Sequence, residues 1–166
     1  MTAFTELQPD DWMDRDSTVR REWTSLGQRP VRQADPLARL LGFRTDGVRA
    51  AGEVARQNGR MLKVVRYVQA PECEADAQFE ALELVARSRH WLVRDELCLD
   101  SAGPALLEYR PGLSAARRLL RAGFADGLVA PTYEHISPNL QEYERFLKDM
   151  AGRGWFVALG RSETGR

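Results

Sequence analysis

The sequence predicts an α/β protein with a doubly wound, open and mainly parallel sheet, preceded by a small helical segment. Two observations indicate this fold. From residue 61 onward, short apolar runs alternate with segments of helical periodicity, which is the pattern of consecutive βα units. Before residue 61 no strand pattern occurs, and glycine and proline separate short amphipathic segments. We therefore expect a β-α-β-α-β-α-β order after a helical amino-terminal part.

That amino-terminal part, residues 1–60, contains three segments with helix start and stop signals. An Asp or Ser opens each one and a glycine closes it, over residues 16–27, 35–42 and 46–59. Pro36 stands at the first helical position of the second segment, where proline is favoured. The sheet domain follows over residues 61–160, and residues 161–166 are expected to form a tail.

The sheet domain divides into four apolar runs and three helical patterns. The runs predict strands, and the helical patterns have apolar residues on one side only. Right-handed crossovers between parallel strands would place helices on both faces of the sheet. The predicted strands cover residues 62–68, 91–98, 127–131 and 155–159, and the predicted helices cover residues 76–90, 111–122 and 138–151.

Composition excludes several classes of protein. The chain has 166 residues, of which 43% are hydrophobic and 29% charged, so it can bury a core. No apolar run approaches the roughly 18 residues that span a bilayer, and the amino terminus lacks a signal pattern. Two cysteines and two histidines make neither a disulfide framework nor an evident zinc site. We expect a cytoplasmic protein with no membrane partner, no metal and no small-molecule cofactor.

A functional crevice in such a sheet lies beyond the carboxyl ends of the strands. The segments there contain no dinucleotide, phosphate-loop, zinc-protease or nucleophile-elbow motif. His135 beside Glu134 is a candidate acid/base pair, although an exposed turn histidine is the simpler interpretation. Cys73 is a candidate nucleophile, but the flanking Glu72 and Glu74 raise a thiol pKa.

Several short segments of the sheet domain occur in an order that points to a known family. Tyr67 lies at the end of the first apolar run, and Gln78 lies in the first helical pattern. The later segments are Asp-Ser-Ala-Gly from Asp100, Arg-Pro-Gly-Leu from Arg110, and residues 126–129, 134–140 and 154–159. In this order and spacing they resemble the catalytic domain of the serine recombinases, the resolvase/invertase family. The resemblance covers residues 61–160.

The resemblance implies a reaction, but this chain lacks most of the catalytic residues that the reaction requires. In that family a serine attacks a DNA phosphodiester while arginines neutralise the charge on the phosphoryl oxygens. Pro71 stands at the serine position, and aligning Arg66 with the family arginine instead puts Val68 there. The resemblance implies that the catalytic positions now hold Gln69, Pro71, His135 and Pro138, and that Gln78, Asp100 and Arg110 are retained. We therefore expect no catalytic residues.

Three hydroxyl groups near the crevice are candidate substitutes for the missing nucleophile: Ser101, Tyr133 and Ser137. Each would still need the arginines that the chain lacks. Arg110 is a candidate phosphate contact, and the alternative is an exposed residue ahead of Pro111.

Positive charge is concentrated ahead of the first predicted strand. Residues 28–66 hold nine basic and three acidic residues, although the whole chain has no net charge. Small, apolar and glycine positions predict a helix-turn-helix over residues 35–58. The residues expected to face DNA are Arg39, Arg44, Thr45, Arg49 and Arg56. A helical hairpin packed on the sheet, with arginines that only solvate one face, is the alternative.

The leading hypothesis is a catalytically inactive, recombinase-like protein that binds DNA, or a DNA-associated partner, in regulation or in a mobile element. One alternative is a protein–protein interaction module, with another protein or a second copy as the partner and no nucleic-acid role. The other alternative is a recombinase-type enzyme with a repurposed crevice.

Overall fold

The structure is a computed structural model that describes residues 35–101 and 106–165. Helices and strands alternate after a first long helix, and two short 3-10 turns, Leu107–Tyr109 and Tyr133–His135, precede α3 and α4. The elements are α1 Pro36–Gln57, β1 Lys63–Gln69, α2 Glu72–Ser88, β2 Leu92–Asp100, α3 Pro111–Arg121, β3 Gly127–Ala130, α4 Leu140–Gly152 and β4 Phe156–Leu159.

The four strands form one open sheet in the order β2-β1-β3-β4, and every neighbouring pair is parallel. Gln69 at the end of β1 lies opposite Asp100 at the end of β2. The predicted fold class is therefore confirmed, including all four strands and the three helices between them. Because the strands are parallel, their carboxyl ends meet at one edge.

Helices cover both faces of this sheet, and strand alternation separates the two cores. Val65 and Tyr67 of β1 lie in the cluster that includes side chains of α3 and α4. Val64 and Val68 lie in the cluster that includes side chains of α2. The doubly wound arrangement follows from this division. No helix in the described ranges is both long and apolar enough to cross a membrane.

Helix α1 is continuous, so the predicted helix-turn-helix over residues 35–58 is wrong. Asp35 caps the helix by accepting a hydrogen bond from the Leu37 amide at 3.1 Å, and no turn occurs at Gly42. The helix packs mainly against β4 and α4, with Leu40 buried in one core and Ala55 in the other. This packing outweighs the unfavourable helix propensity of the interior glycines.

Of the three helical segments predicted over residues 1–60, the structure describes only the second and the third. The predicted segment over residues 16–27 lies outside the described residues. The two segments expected over 35–42 and 46–59 are joined in α1, whose arginines therefore project from one helix.

Replacing Gly42 by alanine tests the continuity of α1. A methyl group at Gly42 would meet no atom within 4 Å, so Gly42→Ala should raise the free energy of unfolding by about 0.5–1 kcal/mol through helix propensity. Urea titration measures this change. A decrease would indicate that Gly42 forms a turn after all.

Gly112→Ala is the contrasting variant. Its methyl group would lie 2.5 Å from the carbonyl oxygen of Leu99, so we expect a loss of about 1–3 kcal/mol in the same titration.

Candidate functional site

The carboxyl ends of the strands bring together the residues that the resemblance singled out. Asp100 ends β2, Arg110 directly precedes α3, and His135 ends the 3-10 turn after β3. Gln78 lies in the second turn of α2 and reaches the same edge. Gln69 ends β1 opposite Asp100. The structure thus gathers the three retained residues and two of the replaced positions at the predicted crevice.

Asp100 is buried and binds the amino terminus of α3. Its Oδ1 accepts a hydrogen bond from the Gly112 amide at 2.6 Å, and its Oδ2 accepts one from the Leu113 amide at 3.0 Å. A helix amino terminus is a ready anion site, and here the protein's own carboxylate fills it. Glycine is required at position 112, because a Cβ atom would lie 2.5 Å from the carbonyl oxygen of Leu99.

Arg110 is buried and directs its guanidinium group at the backbone. Its Nη1 donates to the carbonyl oxygen of Ile136 at 2.6 Å and to that of His135 at 3.3 Å, and it lies 3.4 Å from the hydroxyl of Tyr67. Burial raises the pKa of Tyr67, which therefore stays a neutral phenol. Arg110 joins the turn after β3 to the centre of the sheet.

His135 pairs with Gln78 rather than with Glu134. His135 Nε2 lies 2.8 Å from Gln78 Oε1, so the proton is on Nε2. Burial, aided by the charge of Arg110, lowers the pKa of His135 against the opposing effect of Glu134, and the ring is neutral at pH 7. Glu134 accepts a hydrogen bond from Thr132 at 3.2 Å. The arrangement contains no His135–Glu134 hydrogen bond within the described ranges.

The nucleophile position and its candidate substitutes lack the environment that phosphoryl transfer needs. Pro71 is exposed and directly precedes α2, and Pro138 is exposed ahead of α4. Ser137 is buried and donates to Glu142 Oε2 at 2.5 Å, while the ring of Tyr133 lies 5.6 Å from that of Tyr143. Their partners are a carboxylate and an aromatic ring, whereas a phosphoryl group requires cationic donors.

Two other candidates lie at the same edge. Ser101 is exposed directly after β2, and Gln69 is half-buried at the end of β1, opposite Asp100. Arg66 lies on the α2 side of the sheet, where its Nη1 donates to Glu83 at 3.0 Å, so it is not a substitute for the family arginine. Cys73 is exposed.

The buried thiol of Cys98 and the possible metal-ligating side chains were the other chemical groups to consider near this edge. Burial raises the pKa of Cys98 to about 11, so this thiol is unreactive at neutral pH. Among residues 35–101 and 106–165, His, Cys, Asp and Glu side chains form no group of three suited to a metal ion.

The sequence predicted that Arg44 faces DNA. This prediction is wrong, because the Arg44 side chain is buried inside the protein. Its Nε donates to Glu163 Oε1 at 2.7 Å and its Nη2 to Glu163 Oε2 at 3.0 Å. Tyr143 also donates to Glu163 Oε1, at 2.8 Å. Both charged side chains are at most 5% exposed. This ion pair ties α1 to the segment after β4, which sequence analysis treated as a tail.

The remaining predicted DNA contacts are exposed on α1, and each arginine has an acidic partner. Arg39 forms a bidentate ion pair with Glu144 of α4, at 2.7 and 2.8 Å. Thr45 donates to the backbone of its own helix. The two other arginines pair within one helical turn, Arg49 with Asp46 and Arg56 with Glu53.

The sequence matches no protein-family profile and no curated protein. Solved structures share its architecture, and two of them are catalytic domains of known proteins. The C-terminal catalytic domain of ISC1926 TnpA, an IS607-like serine recombinase, has a TM-score of 0.53 over 60% of this chain and 70% of that chain, at 16% identity. The N-terminal catalytic domain of TP901-1 integrase has a TM-score of 0.51 over 58% of this chain and 76% of that chain, at 18% identity.

The sheet domain has the serine recombinase catalytic fold. The resemblance read from the sequence is therefore confirmed at the level of the fold. Sequence analysis missed Glu163, which holds Arg44, and Tyr143, which donates a hydrogen bond to Glu163. The only local signal was an acidic residue close after the last apolar run, and nothing in the pattern linked it to α1.

Removing one member of the Arg44–Glu163 pair should destabilise the protein. A buried charge without its partner costs about 3–5 kcal/mol, so Glu163→Gln and Arg44→Met should each lower the free energy of unfolding by roughly that amount. Arg49→Met is the matched control, because its ion pair is exposed and should change stability by less than about 0.5 kcal/mol. Equal effects at Arg44 and Arg49 would contradict the buried pair.

The carboxylate of Glu163 also predicts that the free energy of unfolding depends on pH. Burial raises the pKa of Glu163, but the hydrogen bonds and charge of Arg44 outweigh it and hold the pKa below its ordinary value. A lowered pKa stabilises the folded state above the unfolded pKa of about 4.3, and this stabilisation disappears as pH falls through the folded pKa. The wild-type free energy of unfolding should therefore fall below about pH 5. A Glu163→Gln variant with an equally steep fall would refute this assignment.

Proposed function

We infer that this protein is a catalytically inactive, recombinase-like protein that associates with DNA without cutting it, in a regulatory or mobile-element setting. One observation supports the inference that the protein is catalytically inactive. At the edge where the fold would hold a reactive hydroxyl among arginines, the chain has Pro71, while Asp100 and Arg110 bind backbone groups of the protein itself.

The rate enhancement that the missing serine and arginines would supply is large, and its loss supports inactivity. Loss of one charged donor to a developing oxyanion lowers a rate by about 100- to 1000-fold. Here the serine is absent together with the arginines that the resemblance assigns to positions 69, 135 and 138. The neutral His135 ring, hydrogen-bonded to Gln78, supplies no replacement charge.

DNA association is supported by the basic segment, even though its arginines are paired. Arg39, Arg49 and Arg56 are exposed, and exposed ion pairs contribute only about 0–1 kcal/mol. A phosphate group can therefore displace the carboxylate partner at small cost. The two structurally similar catalytic domains belong to a serine recombinase and an integrase, proteins whose substrate is DNA.

A second candidate function is a protein-interaction module, and the outer edge of β2 favours it. Within the part of the chain that the structure describes, β2 pairs only with β1, and Leu92 and Leu97 of this strand are exposed. An open strand edge with apolar side chains is a template for pairing with another chain. A second copy of this protein or another partner would fit that edge.

Supercoiled plasmid tests inactivity. We expect neither nicks nor covalent protein–DNA adducts after incubation, and we expect the same of Pro71→Ser, because a restored hydroxyl still lacks its arginines. Denaturing electrophoresis of labelled DNA detects either product. Adducts that disappear in Ser101→Ala or Tyr133→Phe would instead establish a repurposed enzyme.

Random duplex DNA tests association. Fluorescence anisotropy at low salt should give saturable binding that weakens steeply as salt rises, because phosphate contacts release counterions. Absence of binding at low salt, together with self-association in sedimentation, would favour the interaction module.

A further inference from the structure

Helix α3 presents a row of arginines along one side. Ser114, Arg117, Arg118 and Arg121 follow the spacing of one helix face, while Leu113, Ala116 and Leu120 face the core. Of the four α-helices in the described part of the chain, α3 alone contains no acidic residue. We call Ser114, Arg117, Arg118 and Arg121 the α3 stripe.

The charges of this stripe differ from those of α1 in having no acidic partner. Arg118 and Arg121 are exposed, and Arg117 is half-buried. None of the three forms an ion pair within the described residues. The guanidinium group of Arg117 lies 5.3 Å from the ring centroid of Phe146, and its buried Nε has no hydrogen-bond partner.

The stripe continues across a groove of about 450 Å³ to Arg145 of α4. Three arginines and three carboxylates line this groove, so the groove itself carries no net formal charge. Glu142 accepts a hydrogen bond from Ser137, and Asp149 accepts one from Arg153. The excess positive charge of the stripe lies outside the groove, at the exposed Arg118 and Arg121.

We propose that the α3 stripe is the principal phosphate-contacting surface of the protein and binds the backbone of duplex DNA. This proposal rests on the proposed function and adds the place of contact. Arginine without a partner gains the whole interaction with a phosphate, whereas Arg49 and Arg56 must first release Asp46 and Glu53. Ser114 adds a hydroxyl in line with the guanidinium groups, and hydroxyls are common phosphate donors.

The three arginines of the stripe lie in the carboxyl half of α3, away from the carboxyl edge of the sheet, whereas Ser114 lies in the first turn of the helix. Arg121 is the last residue of α3, and the amino terminus of this helix is held by Asp100. DNA bound along the stripe would run past the carboxyl half of the helix. Contact with phosphate would then require none of the groups at the former catalytic edge.

Two double variants with the same change in charge test the proposal on the full chain. Arg118→Gln/Arg121→Gln removes two charges from α3, and Arg49→Gln/Arg56→Gln removes two from α1. Fluorescence anisotropy with a random duplex at several salt concentrations gives the affinity and its salt slope. Each lost phosphate contact lowers the slope by about 0.9 and weakens binding roughly tenfold near 0.1 M salt. Circular dichroism of both variants checks that they are folded.

We expect the α3 variant to lose about two from the salt slope, and the α1 variant to lose distinctly less. Two results would overturn the proposed role of the α3 stripe and leave the proposed function intact. One is an equal loss of salt slope in both variants, and the other is an unchanged slope in the α3 variant while wild-type protein binds. Failure of wild-type protein to bind DNA at low salt would overturn both. An excess of single-stranded RNA that displaces the duplex completely would identify RNA as the preferred polyanion and would also overturn the proposal.

Discussion

The carboxylate of Asp100 governs the chemistry of this molecule, because it occupies the amino terminus of α3 at the edge where the strands end. Two backbone amides that would attract a phosphate group are thereby neutralised within the protein. Arg110 is likewise held by the carbonyl oxygens of Ile136 and His135. At this edge of the serine recombinase fold, both charged side chains therefore bind backbone groups of the protein itself.

Arginines with fixed partners and arginines without an ion pair in the described ranges occupy different places in the fold. Buried arginines such as Arg44 and Arg110 stabilise the fold through fixed partners, whereas Arg118 and Arg121 are exposed and have none within the described residues. Under the proposed function, arginines of the second kind hold DNA. Phosphate contact is then proposed for an outer helix face, separate from the carboxyl edge of the sheet.

Much of the fold was predictable from the sequence because its signals are local. Apolar runs identified β1 to β4, and Asp35 caps the start of α1 as predicted. Helix α4 begins at Leu140 with Asn139 as its cap, two residues after the predicted start at residue 138. The turn expected at Gly42 was wrong because the packing of Leu40 and Ala55 on separate cores decides the path of α1. Retained residues of the site were found through the resemblance, but the Arg44–Glu163 contact joins positions 119 residues apart, which no local pattern reveals.

The most direct test of the central claim is an NMR titration of isotope-labelled protein with a short duplex, which follows both surfaces in one experiment. Binding away from the former catalytic edge predicts shifts in the side-chain Nε–H signals of Arg117, Arg118 and Arg121. The amides of Gly112 and Leu113, bonded to Asp100, should stay unchanged. Shifts confined to Gly112, Leu113 and His135, with the α3 arginines unaffected, would contradict the account.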